Sequence, residues 1–479
     1  MNDDFRSAAQ AAAELVADYL TGLPSRPVWQ PMDPAERTAL LDLELPQDGV
    51  DFGELLKTVE ERFMPHPMGN GSPRFFGWVN SSPQPAGVLA TLAASAMNPS
   101  SAGGDHADVH LERAVVRWIA ELVGFPHPAG GGLLTSGTSM ATIVCLAAAR
   151  NRAAQRAGHD VRADGLAGLP PLVGYVTGEA HSCVRKAAEL LGLGSRHLRV
   201  VGTDADGHLD LASLAEAIDE DRAAGRLPFL VVASAGTVGT GAVDPFTPIA
   251  DLAEREGLWF HVDGAYGAFG VLDETIAHRY EGMERADSLA LDPHKWLGVP
   301  VDCGCALVRD AEQLRGTFSL VPSYLRDDAA GDLGWFSEYG TEQTRPFRSL
   351  KVWASIAHRG RSGVARDVAH CTAQARQLGG WVEADPELEL LAPVETSIVA
   401  FRYRPAGVDE AVVEELNRRL PVAVQLRGRV FLTGAVYRGT EVLRACLLNA
   451  TTTEADLRLL LDEVKAAGAE LLTSLGRNS

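Results

Sequence analysis

In Ser288-Leu-Ala-Leu-Asp-Pro-His-Lys-Trp296 a short apolar run stops at an acid and a proline, and a lysine follows between histidine and tryptophan. An apolar run this short, without polar alternation, reads as a strand buried on both faces. Similar runs occur upstream at Pro171–Val176, Phe229–Ala233 and Leu258–Val262, and downstream at Ala306–Val308. Amphipathic helical stretches lie between them at Cys183–Leu191, Leu211–Ala224 and Pro248–Glu256. Strand, helix, strand in repeated units predicts an α/β fold: a mainly parallel central sheet with helices on both faces.

Outward from this centre the pattern changes. The first 65 residues read as helical: Ala8–Leu20 is alanine-rich, and Asp33-Pro34 looks like an N-cap with proline at the first helical position. A helical connection over Lys351–Gln377 leads to a smaller α+β tail, with strands near Ser397–Tyr403 and Arg429–Leu432 and a last helix at Glu454–Leu472. The expected division is a helical N-terminal segment (1–80), a large central domain (81–350), and the connection with a small C-terminal domain (351–479).

Composition excludes several classes of function. Of 479 residues, 46% are hydrophobic and 22% charged, which is ordinary globular usage. A net charge of −20 offers no basic footprint for a phosphate backbone, so nucleic-acid binding is not expected. The weakly polar stretch Ala86–Met97 is too short to span a bilayer. The N-terminus has no basic region followed by an apolar run, and six cysteines make no disulfide framework; a reducing cytoplasm is the expected compartment. Cys303-Gly-Cys305 lacks a second Cys/His pair at zinc-site spacing, and His106 and His110 lack the HExxH glutamate, so no metal is expected.

In open α/β sheets ligands gather at the carboxyl ends of strands. Lys295 stands at one such end, hemmed by proline, histidine and tryptophan; desolvation of a lysine frees the neutral amine for Schiff-base formation. Asp263 ends Leu258-Trp-Phe-His-Val262, where a carboxylate needs a cationic or hydrogen-bonding partner. Leu133-Leu-Thr-Ser-Gly-Thr-Ser139 runs into the apolar helix Ala141–Ala149, and small hydroxyl residues at a helix N-terminus suit a phosphate. In Gly178-Glu-Ala-His-Ser182, His181 is placed to lie on an aromatic ring. Taken singly, these read as a surface lysine, a helix cap or turn acid, a hydroxyl cap and a turn histidine. Together they fit one object with a phosphate at one end, a pyridine nitrogen at the other and an aldehyde between: pyridoxal 5′-phosphate (PLP).

With His261-Val-Asp-Gly-Ala-Tyr-Gly267 and Gly178-Glu-Ala-His-Ser-Cys-Val-Arg-Lys-Ala187, segment 288–296 resembles the group II PLP-dependent amino-acid decarboxylases. That family includes aromatic-L-amino-acid and glutamate decarboxylases, and the resemblance runs from roughly Phe5 to Leu472. It implies the fold type I of PLP enzymes and a homodimer with shared active sites. By matching motif, Lys295 resembles the lysine that links the cofactor, and Asp263 the partner of the pyridine nitrogen. Ala265 would pack under the ring and His181 above it. Gly137, Thr138 and Ser139 fall on the phosphate turn, which Asp292 and His294 approach, and Thr237 matches the threonine near the cofactor's 3′ oxygen. Tyr324, in Val321-Pro-Ser-Tyr-Leu325, resembles the tyrosine acting at the substrate Cα, on a loop whose polar continuation Arg326–Asp332 suits a lid.

The family's substrate pocket falls on Trp78, Val79 and Ser81, and on Asn98 and Ser100 contributed by a partner subunit. Trp78 and Val79 keep the character of the aromatic enzymes; Asn98 and Ser100 are small and polar instead, and Arg74 leaves an acidic substrate open. The implied reaction is loss of CO2 from an L-amino acid joined to PLP, giving an amine, with aromatic amino acids first among candidates. The rivals are a decarboxylation-dependent aldehyde synthase of the same family and another fold-type-I reaction such as transamination or Cβ elimination.

Overall fold

A computed structural model describes residues 2–126, 130–320 and 334–476. The chain divides into two units: Pro83–Arg376 with Ala392–Ile398, and Met1–Ser82 with Gln377–Leu391 and Val399–Ser479.

The apolar runs of the larger unit become one seven-stranded sheet: β1 Gly132–Thr135, β2 Leu172–Thr177, β3 Leu198–Val201, β4 Leu227–Ser234, β5 Trp259–Asp263, β6 Ser288–Leu291 and β7 Gly304–Val308. Their order is β1-β7-β6-β5-β4-β2-β3. The pairs β2–β3, β2–β4, β4–β5 and β5–β6 are parallel. β7 opposes both β1 and β6, so β1 points the same way as the parallel set. Every residue of β1, β2, β5, β6 and β7 is buried, which is why these segments carry no polar alternation. β1 and β3 have no counterpart among the predicted strands. β1 is short and runs almost directly into the turn before the next helix. β3 is the edge strand, mostly uncovered, and its Arg199 and exposed Val200 break the run that marks a buried strand.

The helix Thr138–Arg156 buries Ala141, Thr142, Val144, Cys145, Ala148 and Ala149. Small residues let it lie close to the sheet, and each buried valine or leucine contributes roughly 1.5–3 kcal/mol. Beneath β1 lies a fully buried ion pair. The Arg345 guanidinium donates to Glu112 Oε2 at 3.0 Å, to the Ser101 carbonyl at 3.1 Å and to the Leu134 carbonyl at 2.5 Å. Glu112 in turn accepts the Leu134 N–H at 2.9 Å. The connection helix is longer than expected, Arg348–Ala384, and is broken at Gly360, where φ is 65° and ψ 171°.

The smaller unit holds a four-stranded sheet of β8 Leu388–Leu390, β9 Ile398–Tyr403, β10 Thr433–Tyr437 and β11 Thr440–Cys446, in the order β10-β11-β9-β8. β10 and β11 form a hairpin around Arg438-Gly439, both at positive φ (52° and 79°), the twist a two-residue loop requires. The strand expected at Arg429–Leu432 is therefore displaced. Val430, Phe431 and Leu432 are buried, but Phe431 makes only an isolated bridge to Phe75, and the ladder starts at Thr433. Asp33 caps Pro34–Leu41 as the sequence predicts, its Oδ1 accepting the Ala35 N–H at 2.8 Å. Among the described residues no helix is long and apolar enough to cross a membrane.

Candidate active site

The carboxyl ends of β1, β2, β4, β5 and β6 lie along one edge of the larger unit's sheet, and the chain places a polar segment after each. β1 leads through Gly137 into the helix starting at Thr138, and β2 leads to His181, which caps the helix Ser182–Leu190. β4 leads to Thr237, β5 ends on Asp263, and β6 is followed by Asp292. The register pairs Ser234 with Asp263 and Asp263 with Ala290, so Asp263 sits between the ends of its neighbours.

Asp292 is the node of one half of the site. Its Oδ1 accepts the Thr138 N–H at 2.7 Å, where the helix dipole favours an anion, and its Oδ2 lies 3.0 Å from Lys295 Nζ. His294 Nδ1 donates to the Cys303 carbonyl at 2.7 Å and stands 3.6 Å from Asp292 Oδ1. Gly137 lies beside both: a Cβ there would stand 3.6 Å from Asp292 Oδ1 and from His294 Cε1. Across the turn, Gly304 of β7 approaches so closely that a Cβ would fall 2.4 Å from the Gly137 carbonyl carbon and 2.6 Å from Thr135 Oγ1. Ser139 is exposed in the first helical turn.

Asp263 is the node of the other half. Its Oδ1 accepts the Ala265 N–H at 3.1 Å, and its Oδ2 accepts from the Cys183 thiol at 3.8 Å. Burial pushes its pKa up, and Lys295, the Ala265 N–H and His181 work against that rise. His181 Nδ1 accepts the Cys183 N–H at 3.2 Å, so in the neutral ring the proton is on Nε2. The ring is open to solvent on one side, yet protein on the other desolvates it and lowers its pKa; Asp263 opposes the shift and Lys295 adds to it. Thr237 donates its N–H to the Ala242 carbonyl at 2.8 Å, and its hydroxyl lies 3.0 Å from Thr240 Oγ1. Tyr266, next to Ala265, stacks on Trp296, next to Lys295, with centroids 5.3 Å apart and planes within 10°. That stack ties the two halves together.

Whether these residues suit PLP can be tested on one atom. Thr138 Oγ1 is buried and has no hydrogen-bond partner among the described residues. A buried hydroxyl left unpaired costs about 1–3 kcal/mol, and a phosphate oxygen would relieve it. With Thr138, Ser139, His294 and the helix N-terminus for a phosphate, Asp263 for a pyridine nitrogen and Lys295 for an aldehyde carbon, the donor set fits.

The remaining expected residues are more scattered. Tyr324 lies outside the described residues. In the smaller unit Trp78 has φ of 45° and packs on Phe431 (5.2 Å) and Phe75 (6.0 Å); Val79 is half-buried, and buried Ser81 accepts Asn70 Nδ2 at its carbonyl (2.9 Å). In the larger unit Asn98 ends the helix Pro85–Met97 in the left-handed conformation (φ 46°, ψ 46°) and lines a cavity of about 390 Å³, with Ser100 exposed two residues on. Arg74 is structural: its Nη2 donates to the carbonyls of Pro24 (3.0 Å) and Arg26 (2.9 Å). Cys303 and Cys305 are buried thiols, and among the described residues no group of three possible metal ligands occurs. Sequence reasoning missed Gly304 and Cys183; the only signal for Cys183 was a small polar residue two places after His181.

A model of the pyridoxal-dependent decarboxylase conserved domain matches residues 34–404. An aromatic-L-amino-acid decarboxylase of Bacillus atrophaeus is 31% identical over 478 residues, covering 98% of this chain and 97% of that protein. A phenylacetaldehyde synthase of a Rosa hybrid cultivar is 28% identical over 470 residues, covering 94% and 91%. The crystal structure of Oryza sativa TDC with PLP and tryptamine superposes with a TM-score of 0.90 at 29% identity, over 98% of this chain and 99% of that one.

Proposed function

Because this chain belongs to the pyridoxal-dependent decarboxylase family, and is an amino-acid decarboxylase that uses PLP, we propose that it converts an aromatic L-amino acid to its amine. What supports the reaction most directly is the convergence of Lys295, Asp292 and the unpaired Thr138 hydroxyl at one end of the site with Asp263 at the other. The choice of substrate is supported by the Bacillus relative. Asn98, the main departure from the aromatic pattern, has a backbone reason to be asparagine, since it ends its helix at positive φ. Arg74, the candidate cation for an acidic substrate, is committed to two backbone carbonyls.

When bound, PLP supplies an electron sink for the pair released as the Cα–carboxylate bond breaks. Thr138, Ser139 and His294 would hold the phosphate, with Gly137 leaving the turn open, and Lys295, aimed by Asp292, would anchor the cofactor covalently. Asp263 would hold a proton on the ring nitrogen. Ala265 and His181 are assigned to the two ring faces and Thr237 to the 3′ oxygen, as the family resemblance implies. Tyr324 is assigned the proton delivered to the substrate Cα, with the His181 Nε2–H as a relay. Trp78, Val79 and Ser81, with Asn98 and Ser100 from a second copy in a homodimer, would select the side chain. A cytoplasmic setting agrees with six buried cysteines held in no disulfide.

The test is a panel of L-amino acids with PLP added, measuring CO2, amine, aldehyde and peroxide. Fastest CO2 release from an aromatic amino acid, with amine in equal amount, is expected. Preference for glutamate or aspartate would overturn the substrate, and aldehyde with peroxide would make the chain an aldehyde synthase.

A further inference from the structure

We propose that Cys183 is a positioning residue of this decarboxylase: its thiol and its backbone N–H hold Asp263 and His181 in place, and the thiol strengthens Asp263's grip on the cofactor's ring nitrogen. The inference rests on the assignment of Asp263 to that nitrogen.

Cys183 is the second residue of the helix that His181 caps and is 2% exposed. Its N–H reaches His181 Nδ1 at 3.2 Å while its Sγ reaches Asp263 Oδ2 at 3.8 Å. On the far side, Sγ lies 3.7 Å from the hydroxyl of Thr142, on the helix Thr138–Arg156. Burial pushes the thiol pKa up to about 12, with the Asp263 charge adding to the rise. The sulfur therefore remains S–H at working pH and meets the carboxylate as a donor, never as a competing anion. With the S–H committed to Asp263, the Thr142 O–H donates to Sγ. The result is a relay Thr142→Cys183→Asp263 in which each bond polarises the next. Asp263 thus has one oxygen fixed by the Ala265 N–H and the other by a residue that also sets the tautomer of His181.

The test uses apo-protein stripped from the purified holoenzyme, with PLP titrated back and followed by tryptophan fluorescence. Cys183→Ala should weaken PLP binding by about three- to tenfold, the reach of one weak hydrogen bond. Cys183→Ser should bring affinity back to within about twofold of the parent, since a hydroxyl is the stronger donor. A packing role makes the opposite forecast, because serine is smaller and more polar than cysteine and should be no better than alanine. In an Asp263→Asn background the Cys183→Ala loss should vanish, as coupling between the two side chains requires. Equal affinities for the serine and alanine variants would overturn the proposal, and so would an alanine loss that persists in the Asp263→Asn protein. If Asp263→Asn by itself leaves PLP affinity unchanged, the assignment of Asp263 falls, and this inference with it.

Discussion

Folding brings Asp292 to the Thr138 helix N-terminus and to 3.0 Å from Lys295 Nζ. Asp292 directly follows the buried run Ser288–Leu291 and Lys295 stands three residues further on, which made both visible in the sequence. On the proposed role of Lys295, Lys295→Ala should abolish the visible absorbance of bound PLP and reduce turnover by several orders of magnitude; a spectrum and an amine assay check both. Thr138→Val tests the unpaired hydroxyl. It should weaken PLP binding by about tenfold while leaving the melting temperature of the apo-protein unchanged or higher, because the hydroxyl satisfies no protein partner among the described residues. Cys183 was not legible, since a thiol contact to Asp263 spans 80 positions and leaves no mark on local pattern.

Burial made the central strands readable, but not β1, four residues long, nor β11, both missed although largely buried. β6 is recovered residue for residue and β2, β4 and β5 to within one or two positions, whereas the edge strand β3 and the half-exposed β10 carry too little apolar signal. Gly304 shows the same limit at the level of contacts between elements. In the sequence it is the residue between two cysteines, and in the fold it is where β7 touches the turn at Gly137. Gly304→Ala should therefore shift that turn, lowering the melting temperature by several degrees and PLP affinity with it, as thermal scans with and without PLP would reveal. The buried pair Glu112–Arg345 joins β1 to the Ser101 turn. Arg345→Met leaves Glu112 without its cation in the interior and should cost about 3–5 kcal/mol in denaturant unfolding.

At the scale of the whole molecule, charge matters through particular clasps more than through the −20 total. His208 lies between Asp204 (3.0 Å) and Glu395 (2.7 Å), and Glu395 also accepts the Val243 N–H at 3.0 Å. The Glu395 hydrogen bond, despite partial burial and with Asp204's help, raises the histidine pKa from 6.5 to about 9. A raised pKa means the folded chain favours the protonated ring. This stabilisation is complete below 6.5 and is lost as pH climbs through about 9. Thermal unfolding should show the midpoint falling across that window, and His208→Gln should flatten the fall while lowering the neutral-pH midpoint by about 2–4 °C.

The Asp292–Thr138 contact has one more consequence. Because the chain supplies its own anion to that helix end, the first turn has no reason to fray when the cofactor departs. Loading should then resemble a ligand entering a rigid crystal lattice site more than a coupled folding event. Calorimetry of PLP binding should give a small heat-capacity change, and hydrogen exchange at Thr138–Ala141 should be slow in both forms.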